Sequence, residues 1–192
     1  TQNPFQFEKD FQSNQFNHAL ICVPNEGDTL WLETTSKRYP AGYMGRSGSN
    51  RAALAITPDG GKLVNTPHYT SNDNRQIQKA EFFIDDKGNA TCKAETRYEG
   101  LQFDFYLNQE DQSPQEREKW LYKNLDMKGF SIESFHYERL DDTLPAGKRS
   151  LSLEIKGYAQ KSGNRLFIPL NQMNKRTYIP NRLENRQSDV LV

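Results

Sequence analysis

Tight-turn segments set between alternating apolar runs constrain this chain more than any other feature. Ile77–Ile84 and Asn89–Tyr98 flank Asp85-Asp86-Lys87-Gly88, which reads as a hairpin. Ala52–Ile56 and Lys62–Val64 flank Pro58-Asp59-Gly60-Gly61, and Phe16–Val23 and Asp28–Thr35 flank Pro24-Asn25-Glu26-Gly27, giving two more. Leu101–Leu107 alternates as Leu-Gln-Phe-Asp-Phe-Tyr-Leu and reads as a further strand. Strands are also expected at Phe130–Arg139, Ser150–Ala159 and Arg165–Pro169. Eleven Phe, nine Tyr and two Trp among 192 residues supply β-prone bulk. A single helix is predicted near residues 113–125. Ser113 is its N-cap, Pro114 its first position, and Glu116 completes a capping box; Gly129 offers a stop.

The expected fold class is therefore mainly β. Tyr69–Asn74 is the best linker, which places a boundary near residue 72. Residues 73–192 are expected to form an antiparallel, jelly-roll-like β-sandwich with one helix. Residues 1–72 are too few and too polar to bury a core of their own, so they need a partner surface. Residues 36–51 read as a loop punctuated by Gly42, Gly45 and Gly48. The chain starts at Thr1 and ends in a short apolar Val190-Leu191-Val192, which reads as an excised piece whose last strand has lost its partner.

Charge narrows the function classes. Lys and Arg total 25, as do Asp and Glu, which argues against a dominant nucleic-acid or membrane-surface role. No apolar run reaches the roughly 18 residues needed to span a bilayer. No CxxC, HExxH or clustered carboxylate pattern occurs, so neither metal nor cofactor is expected. Cys22 and Cys92 sit on expected strands and read as buried free thiols.

The candidate chemistry lies in the first hairpin. If Val23 pairs with Asp28, antiparallel register puts His18 opposite Glu33, with Cβ atoms about 5 Å apart. An imidazole facing a carboxylate is the orienting half of a nucleophile–base–acid site. A one-residue slip would move Glu33 to the other face. Cys22 is four residues along the strand from His18, about 13 Å at Cα, too far to serve as its nucleophile. No Ser lies in a Gly-x-Ser-x-Gly elbow. His68 in a linker and His136 on a strand read as structural. Asp85-Asp86 and Asp141-Asp142 read as turn chemistry, and Phe103, Phe105, Phe135 and Tyr137 as core.

Phe16-Asn17-His18-Ala19-Leu20-Ile21-Cys22-Val23, followed by Thr29-Leu30-Trp31-Leu32-Glu33-Thr34-Thr35, resembles the His and acid strands of transglutaminase-like proteins. Gly42-Tyr43, Ala53–Gly61 and Thr66-Pro67 extend the likeness, as do Asp86-Lys87-Gly88 and Tyr98-Glu99-Gly100. Together they resemble the Bacteroidetes proteins that combine DUF3857, transglutaminase-like and DUF3858 modules. The resemblance implies a papain-like α+β remnant over residues 1–72 and a DUF3858-like sandwich after it. It implies His18 as catalytic base and Glu33 as its acid, where the superfamily's usual acid is Asp. The family's nucleophilic Cys lies upstream at a helix N-terminus. Seventeen residues precede His18 and none is Cys, so this chain alone is expected to be inactive. The implied parent is a thiol protease or amidase of the periplasm or cell surface, with a protein or peptide substrate and the upstream portion of the same protein as partners. The alternative is a non-catalytic binding or scaffold module of a cell-envelope protein.

Overall fold

The computed structural model describes residues 14–173. The leading segment up to residue 13, and the tail from residue 174 with its Val190-Leu191-Val192 ending, lie outside the described residues.

Antiparallel β-structure dominates, as expected. The first hairpin pairs β1 (Ile21–Asn25) with β2 (Asp28–Leu32), and the second pairs β3 (Ala52–Thr57) with β4 (Gly60–Asn65). A four-helical-residue turn, α1 (Gly45–Gly48), lies between them. Then come β5 (Gln76–Ile84), β6 (Ala90–Glu99), a 3₁₀ turn at Gly100–Gln102, α2 (Phe103–Glu110) and α3 (Pro114–Asn124). β7 (Phe130–Leu140), β8 (Ala146–Ile155) and a small hairpin of β9 (Gln160–Ser162) and β10 (Arg165–Phe167) close the described chain.

The largest sheet has four strands in the order β5-β6-β8-β7. β8 runs antiparallel to both β6 and β7, so β6 and β7 are parallel with β8 between them. A parallel pair needs a long crossover, and α2 and α3 supply it. One face of this sheet carries Ala90, Cys92, Ala94, Leu151, Leu153 and Ile155, all buried. Leu121 of α3 packs into that cluster with no exposed surface, and Trp120 and Leu125 flank it. The layer over the buried face is thus helical among the described residues. The opposite face carries Lys79, Glu81, Lys93, Glu95, Ser150 and Ser152 in alternate positions, with Ile77 and Phe83 exposed among them.

Two expectations need correction here. Leu101–Leu107 is not a strand, and the helix at α3 does not stand alone. Phe103, Tyr106 and Leu107 are buried at helical spacing, whereas Phe105, which a strand would have aligned with Phe103 and Leu107, is 46% exposed. A seven-residue segment with apolar residues at 101, 103, 105, 106 and 107 satisfies both periods, and packing on the sheet selected the helix. The α3 capping box itself forms as expected, with Glu116 N donating to Ser113 Oγ and Ser113 N to Glu116 Oε2.

Residues on either side of the linker share a core. Tyr43, 1% exposed, packs with Tyr98, Phe103, Tyr106 and Leu107. Its hydroxyl lies 2.8 Å from Asp104 Oδ1 and 3.0 Å from the Gly100 carbonyl. Burial first, and the Asp104 carboxylate second, push that hydroxyl far above the usual phenol range, so it stays a donor.

Candidate functional site

The first hairpin is tighter than the sequence suggests. Asn25 pairs with Asp28, leaving only Glu26-Gly27 in the turn, with Gly27 at φ +79°. Val23 therefore pairs with Leu30 rather than Asp28. Extending this register sets Leu20, not His18, opposite Glu33. The displacement is two residues, which preserves the face of every side chain. His18 and Glu33 nevertheless lie beyond the ladder itself, His18 before the start of β1 and Glu33 just after the end of β2, so their approach is not a cross-strand pair.

They touch. His18 Nε2 lies 2.8 Å from Glu33 Oε2. The Glu33 side chain is 5% exposed and that of His18 40%. Glu33 follows the end of β2, where the chain bends, and Thr35 folds back on it. Thr35 N and Thr35 Oγ1 both donate to Glu33 Oε1, at 2.8 and 2.6 Å. One carboxylate oxygen is thus fixed by Thr35 and the other is turned to His18. Burial pushes the carboxyl up, but the Thr35 and His18 hydrogen bonds outweigh it and hold Glu33 below the usual range. Glu33 is ionised at neutral pH and can only accept, so Nε2 carries the proton in their shared bond. Nδ1 is then the nitrogen of the neutral ring with a lone pair to offer. Such a ring can take a proton from a thiol or water brought to it.

The sequence's other candidates lie apart from this pair. Cys22 is half-buried on β1 opposite Trp31, and Cys92 is fully buried within the sheet. Burial pushes the Cys92 thiol up to about 11, which suits a core residue and not a nucleophile. Neither cysteine hydrogen-bonds to His18 among the described residues. His68 is exposed near Asp73, and His136 is exposed on β7 opposite Ser150. Asp85 Oδ1 accepts from Lys87 N and Asn89 N and organises the β5–β6 turn.

A second concentration of charge was not read from the sequence as a site. Arg38, Arg46 and Arg51 line one cleft of about 420 Å³ with Tyr39, Ser47, Asp104, Phe105 and Asn108. The available signal was composition. Residues 36–51 hold Lys37, Arg38, Arg46 and Arg51 and no acid, in a chain whose charges balance. No helix among the described residues is long and apolar enough to cross a membrane.

Comparisons of the chain with protein-family models, with curated proteins and with solved structures found no match. The geometry of His18 and Glu33 therefore carries the functional reading.

Proposed function

We propose that this chain supplies the general base and its orienting acid to a transglutaminase-like thiol hydrolase, acting on amide bonds of a protein or peptide at the periplasmic or outer cell surface. The single observation that supports it is the 2.8 Å contact of His18 Nε2 with a Glu33 carboxylate whose other oxygen is fixed by Thr35. In this reading a cysteine from an upstream portion of the same protein gives its proton to His18 Nδ1. The thiolate attacks the amide carbonyl, and the departing amine takes the proton from the imidazolium. Water, deprotonated by the same nitrogen, hydrolyses the thioester and regenerates the thiol. Glu33 keeps the ring in the Nε2–H form throughout. In this reading the isolated chain is inactive, because neither Cys22 nor Cys92 is hydrogen-bonded to His18 among the described residues.

The test is amide hydrolysis by the parent protein that contains this chain. His18→Ala is expected to lower the rate about 10²- to 10⁴-fold, the usual worth of a positioned base. Undiminished hydrolysis in that variant would refute the base assignment.

A non-catalytic binding or scaffold role is the second reading. Ile21, Val23 and Leu30 form an exposed apolar face on the first hairpin, suited to contact with another surface. A parent with no thiol-dependent hydrolysis of any amide substrate would favour it.

A further inference from the structure

We infer that the cleft between the 38–51 segment and α2 binds a phosphate-class oxyanion, through Arg38, Arg46 and Arg51. The inference is independent of the His18–Glu33 reading. It begins with charge that the fold does not neutralise. Arg75, Arg97 and Arg139 each meet a carboxylate, and Arg38 pairs with Asp111 and donates to Asn108 Oδ1. Arg46 and Arg51 meet none among the described residues. The Arg46 guanidinium stacks over the Phe105 ring at 4.7 Å, and Arg51 Nε donates only to the Ser47 carbonyl, at 3.3 Å. Both side chains nevertheless open into the same cleft as Arg38.

The fold brings them there by specific contacts. Asp104, the one acid among the described residues that line the cleft, forms no ion pair with the guanidinium groups there; its two oxygens are taken by other donors. Its Oδ1 accepts from the Tyr43 hydroxyl, and its Oδ2 accepts from Arg46 N at 2.9 Å. That second bond fixes the backbone of Arg46 rather than quenching its side chain. Gly45, at φ +60°, lets the chain turn beneath the Tyr39 ring; a Cβ there would lie 2.6 Å from it. The chain is thus held so that two guanidinium groups without carboxylate partners adjoin a third. Guanidinium forks match the oxygens of phosphate, and Arg46 and Arg51 have theirs free of carboxylates among the described residues. A carboxylate offers two oxygens, whereas a phosphate-class oxyanion offers enough to accept from more than one guanidinium fork at once, so the latter is favoured. Phe105 supplies an apolar wall for whatever carries the oxyanion.

The experiment is a titration of the whole chain with inorganic phosphate at low ionic strength, following backbone amide resonances. Saturable shifts at Arg46, Ser47, Arg51 and Asn108 are expected. The affinity should fall about tenfold for each arginine removed in Arg46→Gln and Arg46→Gln/Arg51→Gln. Arg165→Gln on the distant β9–β10 hairpin should bind as wild type does. Acetate at matched ionic strength should bind at least about tenfold more weakly than phosphate. Should the double variant unfold, Ser47→Asp decides, because it adds a carboxylate to the exposed mouth of the cleft and should abolish the shifts. Absence of saturable shifts, equal binding by the variants, or acetate binding as tightly as phosphate would each overturn the assignment.

Discussion

The sheet built from β5, β6, β7 and β8 and the hairpins before it solve the burial problem in opposite ways. The sheet has one closed apolar face, with Cys92, Leu153, Ile155 and Leu121 all at 1% exposure or less. The hairpins leave Ile21, Val23, Leu30, Leu54, Ile56 and Leu63 each more than two-fifths exposed. What ties the preceding region down is chiefly the segment after β2, through the buried Tyr43 and through Arg38 and Arg46 N, which bond Asp111 and Asp104. Stability thus resides chiefly in the sheet and its helices, while the His18–Glu33 pair lies on the more loosely buried region and the arginine cleft lies where that region meets α2. Functional groups are commonly placed this way, on segments positioned by a rigid body that they do not themselves build.

The largest expected effect breaks the sheet side of this contrast. Leu121→Ala should cost about 2–5 kcal/mol, because it empties a fully enclosed position between α3 and the strands. Urea denaturation measures it, and a cost under about 1 kcal/mol would mean that α3 is not integral to the core. Tyr43→Phe comes next. It deprives Asp104 and the Gly100 carbonyl of their shared donor, at about 1–3 kcal/mol. Hydrogen exchange should quicken across residues 36–51 while β6 and β8 keep their protection. Equal quickening in the sheet would show that the two regions unfold as one.

Acid titration sharpens the contrast at the site itself. The Glu33 carboxyl titrates lower folded than unfolded, so its contribution is complete above the ordinary Glu range. It is lost as pH falls through the depressed folded value. The stability gap between wild type and Glu33→Gln should therefore be present at pH 7 and close as the solution becomes acidic. A gap independent of pH would contradict the hydrogen bonds assigned to Thr35 and His18. The smallest effect belongs to Ile56→Ser, at a position 82% exposed, which should stay within about 0.5 kcal/mol of wild type. A larger loss would mean that the second hairpin is buried against something.

The hairpins were legible because Gly, Pro, Asn and Asp mark turns for separate steric reasons. Their registers were not. Pro24-Asn25-Glu26-Gly27 contains two turn residues and two strand residues, and composition does not say which pair closes the turn. The same holds for Pro58-Asp59-Gly60-Gly61, where Gly60 and Gly61 belong to β4. That His18 and Glu33 come together was readable from the hairpin between them, although they meet beyond its paired residues; the Thr35 clasp on Glu33 was not, because it depends on a bend after β2. Leu101–Leu107 fits both periods, and only its packing on the sheet decides for a helix. The arginine cleft joins residues 38, 46 and 51 to residue 104 through the docking of Tyr43, a tertiary event with no local signature beyond an acid-free stretch of chain.

The central claim is that Glu33 holds the His18 ring by Nε2 and leaves Nδ1 as the basic nitrogen. Long-range proton–nitrogen correlation of the His18 ring, recorded in alkaline solution, reads this directly. The account predicts a protonated Nε2 and a bare Nδ1, with the Nε2 proton losing protection from exchange in Glu33→Ala. A ring protonated at Nδ1, or one indifferent to Glu33, would contradict it.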